Sequence, residues 1–283
     1  MSQSTRLLGY PDDARLLIIN ADDLGMCHSI NEAIFRSLQE GVVQSTSLMV
    51  PCPWALHAMN WLRENPAISF SVHLTLICDT KNYAWGPLAP KEKVPSLVDE
   101  SGRYFYSLER MDEFLAQAKA DEVEQEFRAQ LETVLAAGLQ PTHLDWHCLH
   151  NGGREDIFDI TFRLAKEHGL AVRVADPPLR GSLQSRGFPT NDHTLLDSFS
   201  LDGTNKTARY LQLLRDLPEG LNEWAVHPGL ATAELLTIET GGAAVRQPDF
   251  DFVMSPEARE AIAQEGIILL GYQPMQAAWA RAF

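Results

Sequence analysis

Short apolar runs alternate with amphipathic segments along this chain, and the alternation predicts strands joined by helices. Residues 16–20 (LLIIN) read as an apolar strand that ends at a polar loop. From 31 to 40, Ile34 and Leu38 recur at helical spacing and Gly41 closes the segment. Residues 46–50 predict a second strand, 54–63 a helix, and 70–76 a third strand. Residues 121–137 form an amphipathic helix stopped by Gly138 and Pro141. The run 142–147 (THLDWH) predicts the next strand, with a helix following near 155–168. Segments 171–176, 223–227 and 266–272 predict later strands, while 194–201 is ambiguous. Repeated strand–helix units imply a parallel α/β sheet. About seven of them favour a closed or nearly closed (β/α) barrel over an open sheet. Two long irregular stretches, near 77–112 and 176–206, have the length of lids or insertions.

Composition narrows the class. At 283 residues and 45% hydrophobic, the chain suits one barrel domain spanning 1–283. No apolar stretch reaches the roughly 18 residues of a membrane helix, and the first residues lack the basic and apolar regions of a signal peptide. A cytoplasmic location is therefore expected. A net charge of -15 argues against nucleic-acid and membrane partners. The four cysteines form no CxxC pair and read as free thiols.

Candidate chemistry gathers where predicted strands end. The first strand runs into Asp22 and Asp23, His73 lies near the end of the third, and His143, Asp145 and His147 share one face of THLDWH. Asp176 and His227 end two later strands. In an α/β barrel these ends meet at one rim, so groups scattered in sequence converge there. Two imidazoles and a carboxylate suit a catalytic metal with a position left open for water. Adjacent Asp22 and Asp23 point different ways, so one can ligate while the other handles a proton. His227, before Pro228-Gly229, reads as a general acid, with a structural histidine as the bland alternative. His28 either lines the pocket or does not; the sequence leaves this open.

These residues resemble the YdjC-like carbohydrate deacetylases of the chitooligosaccharide type. The matching elements are residues 17–25 (LIINADDLG), 71–76 (SVHLTL), 141–147 (PTHLDWH) and 227–229 (HPG). The resemblance covers about residues 15 to 275. It implies a distorted barrel of the glycoside hydrolase/deacetylase type, one divalent metal ion (Mg or Zn), and removal of an acetyl group from an acetamido sugar. By position it implies Asp23, His73 and His147 as metal ligands, Asp22 as base and His227 as acid. Arg173 resembles a family arginine near the site. One departure stands out: the family continues with alternating histidines, whereas this chain reads His147-Cys148-Leu149-His150-Asn151-Gly152-Gly153. The expected rim is shaped differently, which leaves the sugar specificity open.

His143 and His147 are four residues apart, about 13 Å on an extended strand at roughly 3.3 Å per residue. Both cannot reach one metal, and His147 is nearer the rim. His143 and Asp145 are expected as supports, His150 as a rim residue that meets substrate. Trp85 is one of several aromatics in 77–112, and two readings stay open: part of this segment covers the rim and contacts the sugar, or it is an ordinary hydrophobic flap packed on the barrel. The competing functions are a metal-dependent hydrolase of another amide, ester or phosphoester, and an inactive glycan-binding relative. Assembly as a homodimer is left open.

Overall fold

The computed structural model describes residues 3–201, 205–239 and 241–283. Its strands, in chain order, are β1 (Arg15–Leu24), β2 (Ser45–Leu48), β3 (Ser69–Leu74), β4 (Ile77–Cys78), β5 (Phe105–Tyr106), β6 (His143–Trp146), β7 (Ala171–Val172), β8 (Leu196–Asp197), β9 (Gly220–Val226) and β10 (Ile268–Leu269). The main sheet follows the order β7-β6-β3-β2-β1-β9-β8, with β10 beside β1. All of its pairings are parallel. The seven strands of this path curl into a half-barrel.

Full closure does not occur: among the described residues β7 and β8 do not pair with each other. The expected strand 171–176 is cut to two residues because Pro177 and Pro178 start a helix, Pro177–Ser185, capped by Asp176. The ambiguous segment 194–201 becomes the two-residue β8 and a 3₁₀ turn, Ser198–Ser200.

β1 lies at the centre. Leu16, Leu17, Ile18 and Ile19 are each at most 1% exposed, since the strand is flanked by β9 on one side and by β2 and β10 on the other. That explains a continuous apolar run in place of alternation. Burying each such side chain contributes about 1.5–3 kcal/mol. Helix His28–Glu40 presents Ile30, Ile34 and Phe35 to this core.

The segment 77–112 is a fastened flap. β4 and β5 pair as a small sheet of their own. Glu126, on helix Ala120–Ala136, accepts from the Tyr104 hydroxyl at 2.7 Å and from the backbone N–H groups of Leu88 and Ala89. Tyr104, Phe105 and Trp85 are buried beneath the flap surface. No helix among the described residues is long and apolar enough to cross a membrane.

Candidate functional site

The site starts with an irregularity in β1. Opposite β2, Ala21 pairs with Thr46 but Leu24 pairs with Leu48, so β1 carries one extra residue. Asp23 absorbs it with φ of 73°, a left-handed conformation that costs a side-chain-bearing residue about 1–3 kcal/mol. In a regular strand Asp22 and Asp23 would face opposite sides. Here both line the same cavity. Gly25 completes the turn at φ of 96°, where an added Cβ would lie 3.1 Å from the Met49 carbonyl oxygen.

β3 and β6 bring in the histidines. His73 pairs in register with Asp145, whose Oδ1 lies 2.9 Å from His73 Nδ1. That bond turns Nε2 toward Asp23, 3.6 Å from its Oδ1. His147 Nδ1 lies 3.2 Å from the same oxygen. One atom from each of Asp23, His73 and His147 thus falls within 4.8 Å of the others, all three residues being buried. One carboxylate and two imidazoles aimed at a common point fit a divalent cation. Without an ion, burial would lower His73, but the Asp145 carboxylate outweighs it and raises the ring to about 9. Burial would raise Asp23, yet Arg246 and the two histidines hold it well below the ordinary carboxylate value.

Behind this set runs a buried ionic network. Arg173 donates to Asp22 through Nη1 at 2.8 Å and Nη2 at 2.9 Å, and through Nε to Glu223 Oε1 at 2.7 Å. Its Nη1 also lies 3.1 Å from Asp145 Oδ2. Ser47 and Ser71 donate to the two oxygens of Asp145, at 2.5 and 2.6 Å, and Tyr272 donates to Glu223. Asn20 Nδ2 donates to Asp22 Oδ1 at 2.6 Å. Burial opposes ionisation of Asp22, but the Arg173 guanidinium prevails and lowers its pKa.

His227 follows β9, the strand next to β1 on the side away from β3 and β6. Its Nδ1 is 2.9 Å from Ser198 Oγ, and its backbone N–H donates to Asp249. The enclosing cavity measures about 440 Å³ and is lined by Asp22, Asp23, His73, His147, Arg173 and His227 among others. Apolar Leu108 and Phe199 also line it while staying 79% and 40% exposed, which makes them its lip.

The other expected residues separate. His150 is exposed and lines the cavity beside Asn151. The turn around them is left-handed at Cys148, Asn151, Gly152 and Gly153. At Gly152 an added Cβ would sit 2.6 Å from Ile157 Cγ2, which accounts for glycine there. His143 lies deep, stacked on Tyr272 at 3.4 Å between ring centroids, and burial lowers it to about 3. Of the two readings of Trp85, the structure favours the flap residue packed on the barrel. It is 4% exposed, donates its indole N–H to Ile77 O, and does not line the cavity. His28 lies outside the cavity against Trp54 and His57, and Asp176 caps a helix. Sequence reasoning missed Arg246, Asp79 and Glu223. Arg246 lies on a helix and carries no strand-end signal, and Asp79 follows β4, a strand of two residues too short to announce itself; Glu223, in a predicted strand, could have been flagged as an acid in a buried run.

The family model described as YdjC-like protein matches residues 16–264. A carbohydrate deacetylase of Enterococcus faecalis is 32% identical, over 92% of this chain and 97% of its own length. A chitooligosaccharide deacetylase of Yersinia enterocolitica is 29% identical, over 91% of this chain and 98% of its own. A solved structure from Enterococcus faecalis, described as a cellobiose-phosphate cleavage protein, superposes with a TM-score of 0.78 at 29% identity, covering 92% of this chain and 98% of that one. With the NADD bulge, the paired His73 and Asp145, and a match over most of its length, the chain belongs to the YdjC-like protein family.

Proposed function

We propose that this chain is a divalent-metal-dependent carbohydrate deacetylase, hydrolysing the acetamide of an N-acetylated sugar or oligosaccharide to acetate and a free amine. The observation that carries the reading is one cavity holding the Asp23–His73–His147 set together with the Asp22 carboxylate and the His227 imidazole. The names of the relatives from Enterococcus and Yersinia support it. Asp23, His73 and His147 would hold one Mg²⁺ or Zn²⁺. Such an ion supplies a Lewis acid for the acetyl carbonyl and lowers the pKa of water from about 15.7 to about 7.

The chain's own groups do the rest. Asp145 fixes the His73 ring through Nδ1, leaving Nε2 for ligation. Asp22 takes the proton of the attacking water, while Arg173 and Asn20 keep its carboxylate ionised and oriented. An amine is a poor leaving group. His227, protonated, donates to the nitrogen as the C–N bond breaks, its ring held through Nδ1 by Ser198. Topology suits this division: His227 enters from the β9 side of β1, and the histidine ligands from the β3 and β6 side. Leu108 and Phe199 offer apolar surface to the C–H faces of a sugar, and His150 meets its hydroxyls. The four cysteines are all free, which suits a reducing cytoplasm.

The test is acetate release from N-acetylglucosamine oligomers by enzyme stripped with a chelator, then reloaded with Mg²⁺ or Zn²⁺. Release should vanish on stripping and return on reloading. Turnover of a phosphoester or simple ester panel, with no acetate from any acetamido sugar, would overturn the reading in favour of another metal-dependent hydrolase.

A further inference from the structure

A second set of ligand-type groups lies beside the first, and the proposed reaction leaves it unused. Asp79, His147 and Cys148 bring a carboxylate oxygen, a ring nitrogen and a thiol within 4.8 Å of one another. His147 stands between the two sets. Its Nδ1 is 3.2 Å from Asp23 Oδ1, while its Nε2 is 3.7 Å from Asp79 Oδ2 and 3.5 Å from Cys148 Sγ. Asp79 Oδ1 is buried and has no hydrogen-bond partner, which is costly for a carboxylate oxygen. All three residues line the cavity, so an ion entering it reaches them.

We propose that Asp79, His147 and Cys148 form a second metal site, selective for thiophilic divalent cations such as Zn²⁺, whose occupation inhibits the enzyme. Only the inhibitory consequence rests on the deacetylase reading; the site itself does not. Thiolate and imidazole ligands favour Zn²⁺, Co²⁺ and Cd²⁺ over Mg²⁺. On binding, the Cys148 thiol and His147 Nε2 each release a proton to solvent and donate a lone pair to the cation. The shared ring sets the coupling. An imidazole that ligates the first ion through Nδ1 keeps its proton on Nε2, and engaging Nε2 as well requires the anionic imidazolate. Filling one site therefore weakens the other, by the same factor in both directions.

The experiment titrates metal-free wild type, Cys148→Ser and Asp79→Asn with Co²⁺, following the thiolate-to-cobalt charge-transfer absorption, and counts bound Zn²⁺ by equilibrium dialysis. Wild type should show the absorption and bind a second ion at excess Zn²⁺. Cys148→Ser should lose both, and Asp79→Asn should bind that second ion roughly 10-fold or more weaker. In parallel, deacetylation by metal-loaded enzyme is measured against rising Zn²⁺, each variant relative to its own rate without added Zn²⁺. Both substitutions should raise the half-inhibitory Zn²⁺ concentration by roughly 10-fold or more. Absence of the thiolate absorption in wild type, or its persistence in Cys148→Ser, would overturn the proposal. So would a thiolate absorption with a single ion bound per chain, since Cys148 would then ligate the first ion. The spectral and counting arms need no turnover, so they succeed or fail independently of the deacetylase reading.

Discussion

Arg246 reaches Asp23 across 223 positions of sequence and sets its Nη2 2.8 Å from Asp23 Oδ2. The guanidinium is 0% exposed, donates through Nε to Glu239 at 2.8 Å, and lies 5.2 Å over the Phe199 ring. It occupies one oxygen of Asp23 and leaves the other, Oδ1, facing His73 and His147. The left-handed Asp23 backbone is thus held in place by a side chain from helix Ala243–Met254.

Removing Arg246 leaves the buried Asp23, and the half-buried Glu239, without their counter-charge. Breaking such a pair costs about 3–5 kcal/mol. Arg246→Met should lose about that much in denaturant unfolding, and its metal affinity should fall as the Asp23 carboxylate loses its orientation. A loss under about 1 kcal/mol with unchanged affinity would show that Asp23 is held by its backbone alone.

How much of this was legible in the sequence follows from what each residue depends on. β1 and β6 announce themselves through apolar runs, and Asp22, Asp23, His73 and His147 through their place at strand ends, a property of any parallel sheet. Arg246 gives no such signal, because it belongs to a helix with weak amphipathic pattern and an internal Pro248. Ser47 and Ser71 serve Asp145 through lateral strand neighbours, which one-dimensional spacing does not reveal. Trp85 stays open in the sequence for a related reason: aromatic content marks a segment as apolar but not which side faces the rim. The bulge at Asp23 was equally hidden, since its cause is the register against β2.

Asp22→Asn should keep its metal and lose turnover by about 10²–10⁴-fold, the usual contribution of a general base. The amide still fits beside Asn20 but cannot take a proton from water. Arg173 stays paired with Asp145 and Glu223, so the fold should survive. Bound metal and acetate release, measured on one preparation, check this. Loss of metal from Asp22→Asn with retention in Asp23→Asn would reverse the two assignments.

His227→Ala should depress amide turnover far more than that of an activated ester, whose leaving group needs little protonation. The amide loss should be about 10²–10⁴-fold. Ser198→Ala, which frees His227 Nδ1, should give a smaller loss in the same direction. Equal losses on amide and ester would assign His227 a structural part.

Trp85 should behave as a core residue. Its indole is buried, hydrogen-bonded to Ile77 O, and within 6.0 Å of the His147 ring. Trp85→Ala should cost about 3–5 kcal/mol by cavity formation, with KM nearly unchanged in the fraction that stays folded. A raised KM with an unshifted melting temperature would return Trp85 to the substrate.

His143 offers a pH test of opposite sign to His73. Folded His143 is pushed down to about 3 by burial, against about 6.5 in the unfolded chain. Between these values the unfolded chain binds a proton that the folded chain does not. Stability should therefore be fully present above about pH 6.5 and decline as pH falls toward about 3, by up to about 1.4 kcal/mol per unit from this group. His73, raised to about 9 when metal-free, works the other way: its contribution is present below about pH 6.5 and lost as pH rises through about 9. His143→Phe isolates the first effect. It keeps a flat ring against Tyr272, removes the buried Nε2 that has no partner, and leaves the Thr142 hydroxyl bonded to Phe70 O. Denaturant unfolding of metal-free wild type and variant, from about pH 7 down to about pH 4, should show a shallower decline for His143→Phe. Parallel declines would mean that His143 is protonated in the folded chain, and that its stack on Tyr272 carries a charge.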